Sequence, residues 1–156
     1  MFAHKHYAQA MVAFQHAGKP QEVAISYAYL LRESARVMPD NQVTERADAF
    51  TKAGEAFSTC ANGSQPHQRK ERLVYHTNAA ECFLQGHKFK EAGSSFVHAE
   101  KYSKAAYAYQ EGGYFDEMIE VLGEHVEQVE APLLTQLRKF IIMNYFKVGN
   151  PFSVGD

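Results

Sequence analysis

The sequence has no tryptophan, only two cysteines and five prolines, and no stretch that approaches the ~20 apolar residues needed to span a bilayer. Each scarcity closes off a class. Two cysteines allow at most one disulfide, so a disulfide-stapled secreted scaffold is excluded. Cys60 and Cys82 both fall inside apolar helical stretches, Phe57-Ser-Thr-Cys60-Ala and Ala79-Ala-Glu-Cys82-Phe, and read as small buried thiols suited to a reducing compartment. The opening Met-Phe-Ala-His-Lys-His-Tyr lacks the apolar run of a signal peptide, so an intracellular location, cytoplasmic or nuclear, is expected, with no membrane contact. The formal net charge is only −2, with acids and bases mixed along the chain, and no bulk field draws in phosphate backbones or anionic lipid.

What remains is the composition of one ordinary globular domain spanning residues 1–156, 46% apolar and 22% charged, with 11 Phe and 9 Tyr. Gly, Pro and Asn punctuate it, and the segments between them carry helical periodicity. A first helix is predicted from Lys5 to Ala17, with Tyr7, Ala10, Met11 and Phe14 on one face and a stop at Gly18. Pro20 opens the next at its first turn, where a missing N–H costs nothing. That helix is expected to turn Val23, Tyr27, Leu30, Leu31 and Ser34 inward and to end before Pro39. A third, capped by Asp40 or Asn41, runs from Val43 to Ala61 with Ala47, Phe50, Ala53, Gly54 and Phe57 inward. After the loop Asn62-Gly-Ser-Gln-Pro66, a fourth runs from His67 to Gln85. Apolar residues rarely alternate at period two, and alanine stands where a sheet would want Val, Ile or Thr. The fold class is all-α.

From Ala79 to Leu122 the pattern sharpens. Phe83, Phe96 and Tyr109 are spaced by thirteen, as are Gly86, Ala99 and Gly112, and then Phe89, Tyr102 and Phe115. Ala92, Ala105 and Met118 form a fourth column. Thirteen is not a multiple of the helical repeat, so the segment reads as about nine or ten helical residues plus a tight turn, repeated. The small column is expected to supply the left-handed terminators, the aromatic three residues later to bridge the turn, and the alanines to bring neighbouring helices close. Phe14, Ala17 and Pro20 stand at the same offsets as Phe96, Ala99 and Tyr102. The expected architecture is a right-handed α-solenoid of antiparallel hairpins: long ones over residues 1–62, shorter units over 67–122 and a terminal helix over 131–147.

Asn78-Ala-Ala-Glu-Cys-Phe-Leu-Gln-Gly-His-Lys-Phe-Lys-Glu-Ala-Gly-Ser-Ser-Phe-Val-His-Ala-Glu-Lys-Tyr102 resembles tetratricopeptide-like arrays, with similar short units in SNAP-type adaptors and in coat and transport solenoids. Ala92, Phe96 and Ala99 match the small–aromatic–small spacing of a tetratricopeptide second helix, and Gly86 with Phe89 part of a first. The two halves are too close together for a regular repeat, and the terminal Pro is missing. A broader resemblance covers nearly the whole chain. Tyr7-Ala-Gln-Ala-Met-Val-Ala-Phe-Gln-His-Ala-Gly18, Glu22-Val-Ala-Ile-Ser-Tyr-Ala-Tyr-Leu-Leu-Arg-Glu-Ser-Ala-Arg36, Arg46-Ala-Asp-Ala-Phe50, Glu55-Ala-Phe-Ser-Thr-Cys-Ala61 and Ala79-Ala-Glu-Cys-Phe83, in that order, resemble large fungal tetratricopeptide and ankyrin repeat-containing proteins. These carry a UvrD/Rep-type superfamily 1 helicase-like region upstream of their helical repeats. The resemblance implies that the chain is a piece of such a repeat region, or a short relative of it. It carries no ATPase residue over: a phosphate-cradling loop needs G-x-x-x-x-G-K-[ST], and the only Gly-Lys, Gly18-Lys19, is followed by Pro20.

Other chemistry finds little footing. His4-x-His6 would hold adventitious nickel or zinc, while Cys82, His87 and His98 lack the paired close spacings of structural zinc. Ser94 and Ser95 follow Gly93 without a strand-to-helix elbow, and nothing beside Cys60 would activate its thiol. Glu111 with Asp116, and Glu117 with Glu120, read as solvated helix faces. No catalytic residue, metal or cofactor is expected. Gln68-Arg-Lys-Glu-Arg72 and Lys101 with Lys104 are the basic clusters, but the rings that would stack on bases are taken by the core, so nucleic-acid contact is not expected. The last helix carries Leu133, Leu134, Leu137, Phe140, Ile141, Ile142, Tyr145 and Phe146, more apolar surface than one buried face needs. Phe140, Ile141, Tyr145 and Phe146 are therefore the candidate partner-binding residues. The expected function is a non-catalytic interaction or scaffold module, probed by a peptide or helix of a partner protein, by adjacent domains of the same polypeptide or by a second copy. The alternative is an accessory domain of a helicase-like protein, bracing the motor or touching nucleic acid.

Overall fold

The computed structural model describes the backbone of residues 2–147, and within it all side chains except those of residues 2–4, 137, 141 and 144–147. Eight helices and no strand lie among the described residues: α1 (Phe2–His16), α2 (Pro20–Arg36), α3 (Val43–Asn62), α4 (Arg69–Gln85), α5 (Phe89–His98), α6 (Tyr102–Gly112), α7 (Phe115–Glu124) and α8 (Ala131–Lys147). Three consecutive helices thus begin on the aromatic column Phe89, Tyr102 and Phe115, as the thirteen-residue spacing predicts. From α1 to α7 each helix packs mainly on its neighbours in sequence.

Four turns share one geometry. Gly18, His87, Glu100 and Gly113 have φ of 68°, 59°, 60° and 80°. In each, the following N–H donates back across the turn: Lys19 to the Phe14 carbonyl (3.0 Å), Lys88 to Phe83 (2.8 Å), Lys101 to Phe96 (2.9 Å) and Tyr114 to Tyr109 (2.8 Å). These are Schellman closures, and the aromatic columns lie at their acceptor carbonyls. The expectation that Gly86, Ala99 and Gly112 are the left-handed residues is corrected: Gly86 and Ala99 keep φ of −85° and −84°, Gly112 is still helical, and the left-handed position is one residue later.

Smallness at Gly86 serves close approach instead. A Cβ there would overlap Thr51 Oγ1 and lie 3.0 Å from the Ala47 carbonyl oxygen, so the turn after α4 rests directly on the start of α3. His87 meanwhile carries a Cβ in the left-handed region, which costs on the order of 1 kcal/mol. His87→Gly is expected to stabilise the fold by about that amount, read as a higher urea midpoint at unchanged slope. A midpoint that stayed in place would count against a strained turn at His87.

The core is a run of alanines interleaved with rings. Ala28, Ala53, Ala79, Ala92 and Ala105 are fully buried, and Phe57 and Phe96 are the largest enclosed side chains. Rings of one helix nest on glycines of the helix before: Phe83 of α4 over Gly54 of α3, where an added Cβ would come within 2.9 Å, and Tyr109 of α6 over Gly93 of α5. The inner face of α2 differs from expectation. Tyr27 is 46% exposed, and Tyr29 turns in, stacking on Tyr7 (5.4 Å) and meeting Phe57 edge-on (5.0 Å). Lying between α1 and α3, α2 buries two faces, and a single-stripe reading picked the wrong tyrosine. The cap of α3 is also corrected. Its N-cap is Gln42, without a side-chain bond, while Asp40 approaches Arg46 at 3.9 Å.

Candidate partner-binding site

The terminal helix places its expected binding residues unevenly. Phe140 is half-buried and meets Phe115 with ring centroids 5.5 Å apart, so it serves the join between α7 and α8. Ile141, Tyr145 and Phe146 lie outside the described side chains. Leu133 is buried, and Tyr107 donates to Gln136 Oε1 at 3.4 Å, which ties α8 to α6. The exposed large apolar side chains described on α8 are Ile142 and Met143.

A second surface runs along α4. Lys70, Val74, Thr77, Glu81 and Leu84 recur at helical spacing on one face, with Val74 48% exposed. Two clefts of about 370 Å³ each flank that face. One, towards α6, is lined by Lys70, Leu73, Val74, Thr77 and Lys101 among others. The other gathers Arg32 and Arg36 of α2, Arg46 and Phe50 of α3, and Glu81, Cys82, Leu84 and Gln85 of α4.

The arginines of this second cleft are held by their stems and planes. Arg32 lies over Tyr29 (4.8 Å) and Phe57 (5.5 Å) and donates from Nη1 to Asn78 Oδ1 at 3.3 Å; Asn78 in turn donates to the Tyr29 hydroxyl. Arg46 lies over Phe50 at 5.3 Å. The Nε atoms of Arg32 and Arg46 are buried and have no hydrogen-bond partner in the protein. Glu33 is engaged by Arg36 at 2.7 Å and stays 3.6 Å from Arg32 Nε. The sequence reading missed this cluster. Its signal was present in Arg32 following Leu30-Leu31 inside an apolar stretch, where a charge must find a partner. The pieces come from three helices, however, and only packing brings them together.

No family model, curated protein or solved structure matches this chain.

The thiols are poor nucleophiles. Burial pushes Cys82 up to about 11 despite the opposing pull of Arg32 and Arg36, and burial likewise raises Cys60. Both are free and buried, as expected from their apolar settings. Among the described residues no group of three or more His, Cys, Asp or Glu is placed to hold a metal ion, and no helix is long and apolar enough to cross a membrane.

His76 is buried against His98, with ring centroids 5.1 Å apart. Burial, then His98 and Arg72, lower its pKa. The neutral ring therefore contributes stability in full above the unfolded value of about 6.5, and that contribution is lost as pH falls through the folded value. His76→Leu is expected to flatten the fall in urea midpoint between about pH 7 and about pH 5. A variant whose profile parallels the wild type would assign that fall to other groups.

Proposed function

We propose that the chain is a tetratricopeptide-like α-solenoid segment that works as a non-catalytic protein-interaction module, within a larger protein of the fungal repeat-containing kind it resembles. The thirteen-residue register, the four shared turns and the packing of each helix on its sequence neighbours support the solenoid reading, because units of this kind are held by the units beside them. The interaction reading is carried by one observation: an exposed face of α4 flanked by two clefts, where apolar side chains lie beside cations. This is the pattern of a groove that takes a segment of another protein. The raised pKa values argue against Cys60 and Cys82 as nucleophiles.

The test is retention of proteins on the immobilised chain. Wild type is expected to hold a protein fraction that Val74→Asp loses, since a charge on this exposed apolar residue disrupts the face without entering the core. Empty eluates, or equal retention by both forms, would overturn the proposal.

A second reading, an accessory domain touching nucleic acid, draws on rings that stand outside the core. Tyr107 and Tyr114 are 45% and 36% exposed, and Lys90 Nζ lies 5.8 Å from the Tyr114 ring centroid. Binding of oligo-dT that falls steeply between two salt concentrations would favour it, and no binding at low salt would remove it.

A further inference from the structure

We infer that the cleft among Arg32, Arg36 and Arg46 receives a carboxylate from an acidic, apolar-flanked segment of a partner protein, an inference that rests on the interaction-module reading. The first ground is the pair of orphaned donors. Arg32 and Arg46 line one cleft, and each buries an Nε–H without an acceptor. Both Nε atoms are screened from solvent, so an incoming carboxylate meets these guanidinium groups from the cleft side, where the two together provide for a planar, charged acceptor.

The second ground is organisation before binding. Arg32 is fixed by Tyr29, Phe57 and Asn78, and Arg46 by Phe50, so little side-chain freedom is left to lose when a ligand arrives. Neighbouring acids do not complete the site. Glu33 is bonded to Arg36 at 2.7 Å and stands 3.6 Å from Arg32 Nε, an ion pair beyond hydrogen-bond reach, and Asp40 reaches only 3.9 Å from Arg46, with its side chain 99% exposed.

Charge and shape select the occupant. Glu81 on the cleft wall, with Glu33 close behind, repels a doubly charged phosphate more than a singly charged carboxylate. Cys82, Leu84 and Phe50 supply an apolar lining for the residues flanking that carboxylate. A separate cleft nearer the start of α4, lined by Lys70, Val74 and Lys101 among others, places further cations beside the same helix. Among the described residues Phe50 is the only ring lining either cleft, and it is buried, so a nucleic-acid strand finds no stacking platform there.

The test observes the donors themselves. The full chain, labelled with 15N, is titrated with acetyl-Leu-Glu-Leu-amide while the arginine Nε–Hε resonances are followed. The Arg32 and Arg46 signals are expected to shift saturably. The Leu-Gln-Leu analogue, and Arg46→Gln with the original peptide, are expected to bind at least about tenfold more weakly. Arg36→Gln, at a more exposed site, serves the same comparison if Arg46→Gln does not fold. Unmoved arginine signals, or equal binding of the Glu and Gln peptides, overturn the inference. Tighter binding of the phosphoserine analogue replaces the carboxylate with a phosphate and overturns it too, as does oligo-dT moving the same signals. Retention of a protein fraction through Val74 while the arginine signals stay in place would sink this inference alone and leave the interaction module standing.

Discussion

Phe57→Ala is expected to cost about 3–5 kcal/mol. The ring is fully buried in the C-terminal half of α3. Tyr29 meets it edge-on at 5.0 Å, and the Arg32 guanidinium lies 5.5 Å from its centroid. Removing it opens a cavity and also takes away part of the surface that holds a poorly partnered guanidinium, so water would be drawn towards Arg32. The check is urea unfolding followed by circular dichroism. A loss below about 1 kcal/mol would mean that α2 and α3 collapse around the gap, and that the ring does not organise this end of the stack.

Gly86→Ala is expected to destabilise by about 2–3 kcal/mol, although alanine is the better helix former. The new methyl would overlap Thr51 Oγ1, which donates to the Ala47 carbonyl at 3.0 Å, and would press on that carbonyl as well. Two of the obstructing atoms are backbone, so rotation of a side chain cannot clear the site. The decisive measurement is a double-mutant cycle with Thr51→Ala, which removes the nearest obstruction and is expected to recover part of the loss. Strict additivity would show that the contact between this turn and α3 is looser than described.

The helices were legible where local signals agree. Pro20 marks the start of α2, and the thirteen-residue columns set the starts of α5, α6 and α7, because a short helix with a Schellman turn leaves a small residue and a ring at fixed offsets. Roles within those columns were less legible. Gly86 looked like a conformational device, yet its constraint comes from Thr51 and Ala47, thirty-five residues and more away in the chain. Tyr27 and Tyr29 could not be ranked from periodicity, since α2 has neighbours on two sides. The arginine cleft was illegible for a related reason. Leu30-Leu31 before Arg32 is the one local sign, and nothing local distinguishes Arg36 and Arg46 from solvated cations until α4 closes over them. On α8, Phe140 read as spare apolar surface because its counterpart, Phe115, begins a different helix.

The shared turn constrains how such a chain can change length. In the antiparallel arrangement proposed above, each thirteen-residue unit reverses the direction of travel, because successive helices joined by this turn run back along one another. Losing or gaining one unit would point every later helix the wrong way and bring the opposite faces into contact. Losing or gaining two together would restore both direction and facing. On the proposed arrangement, growth and shrinkage of this part of the molecule are quantised in pairs, and single-unit variants would carry a misfolding penalty that two-unit variants escape.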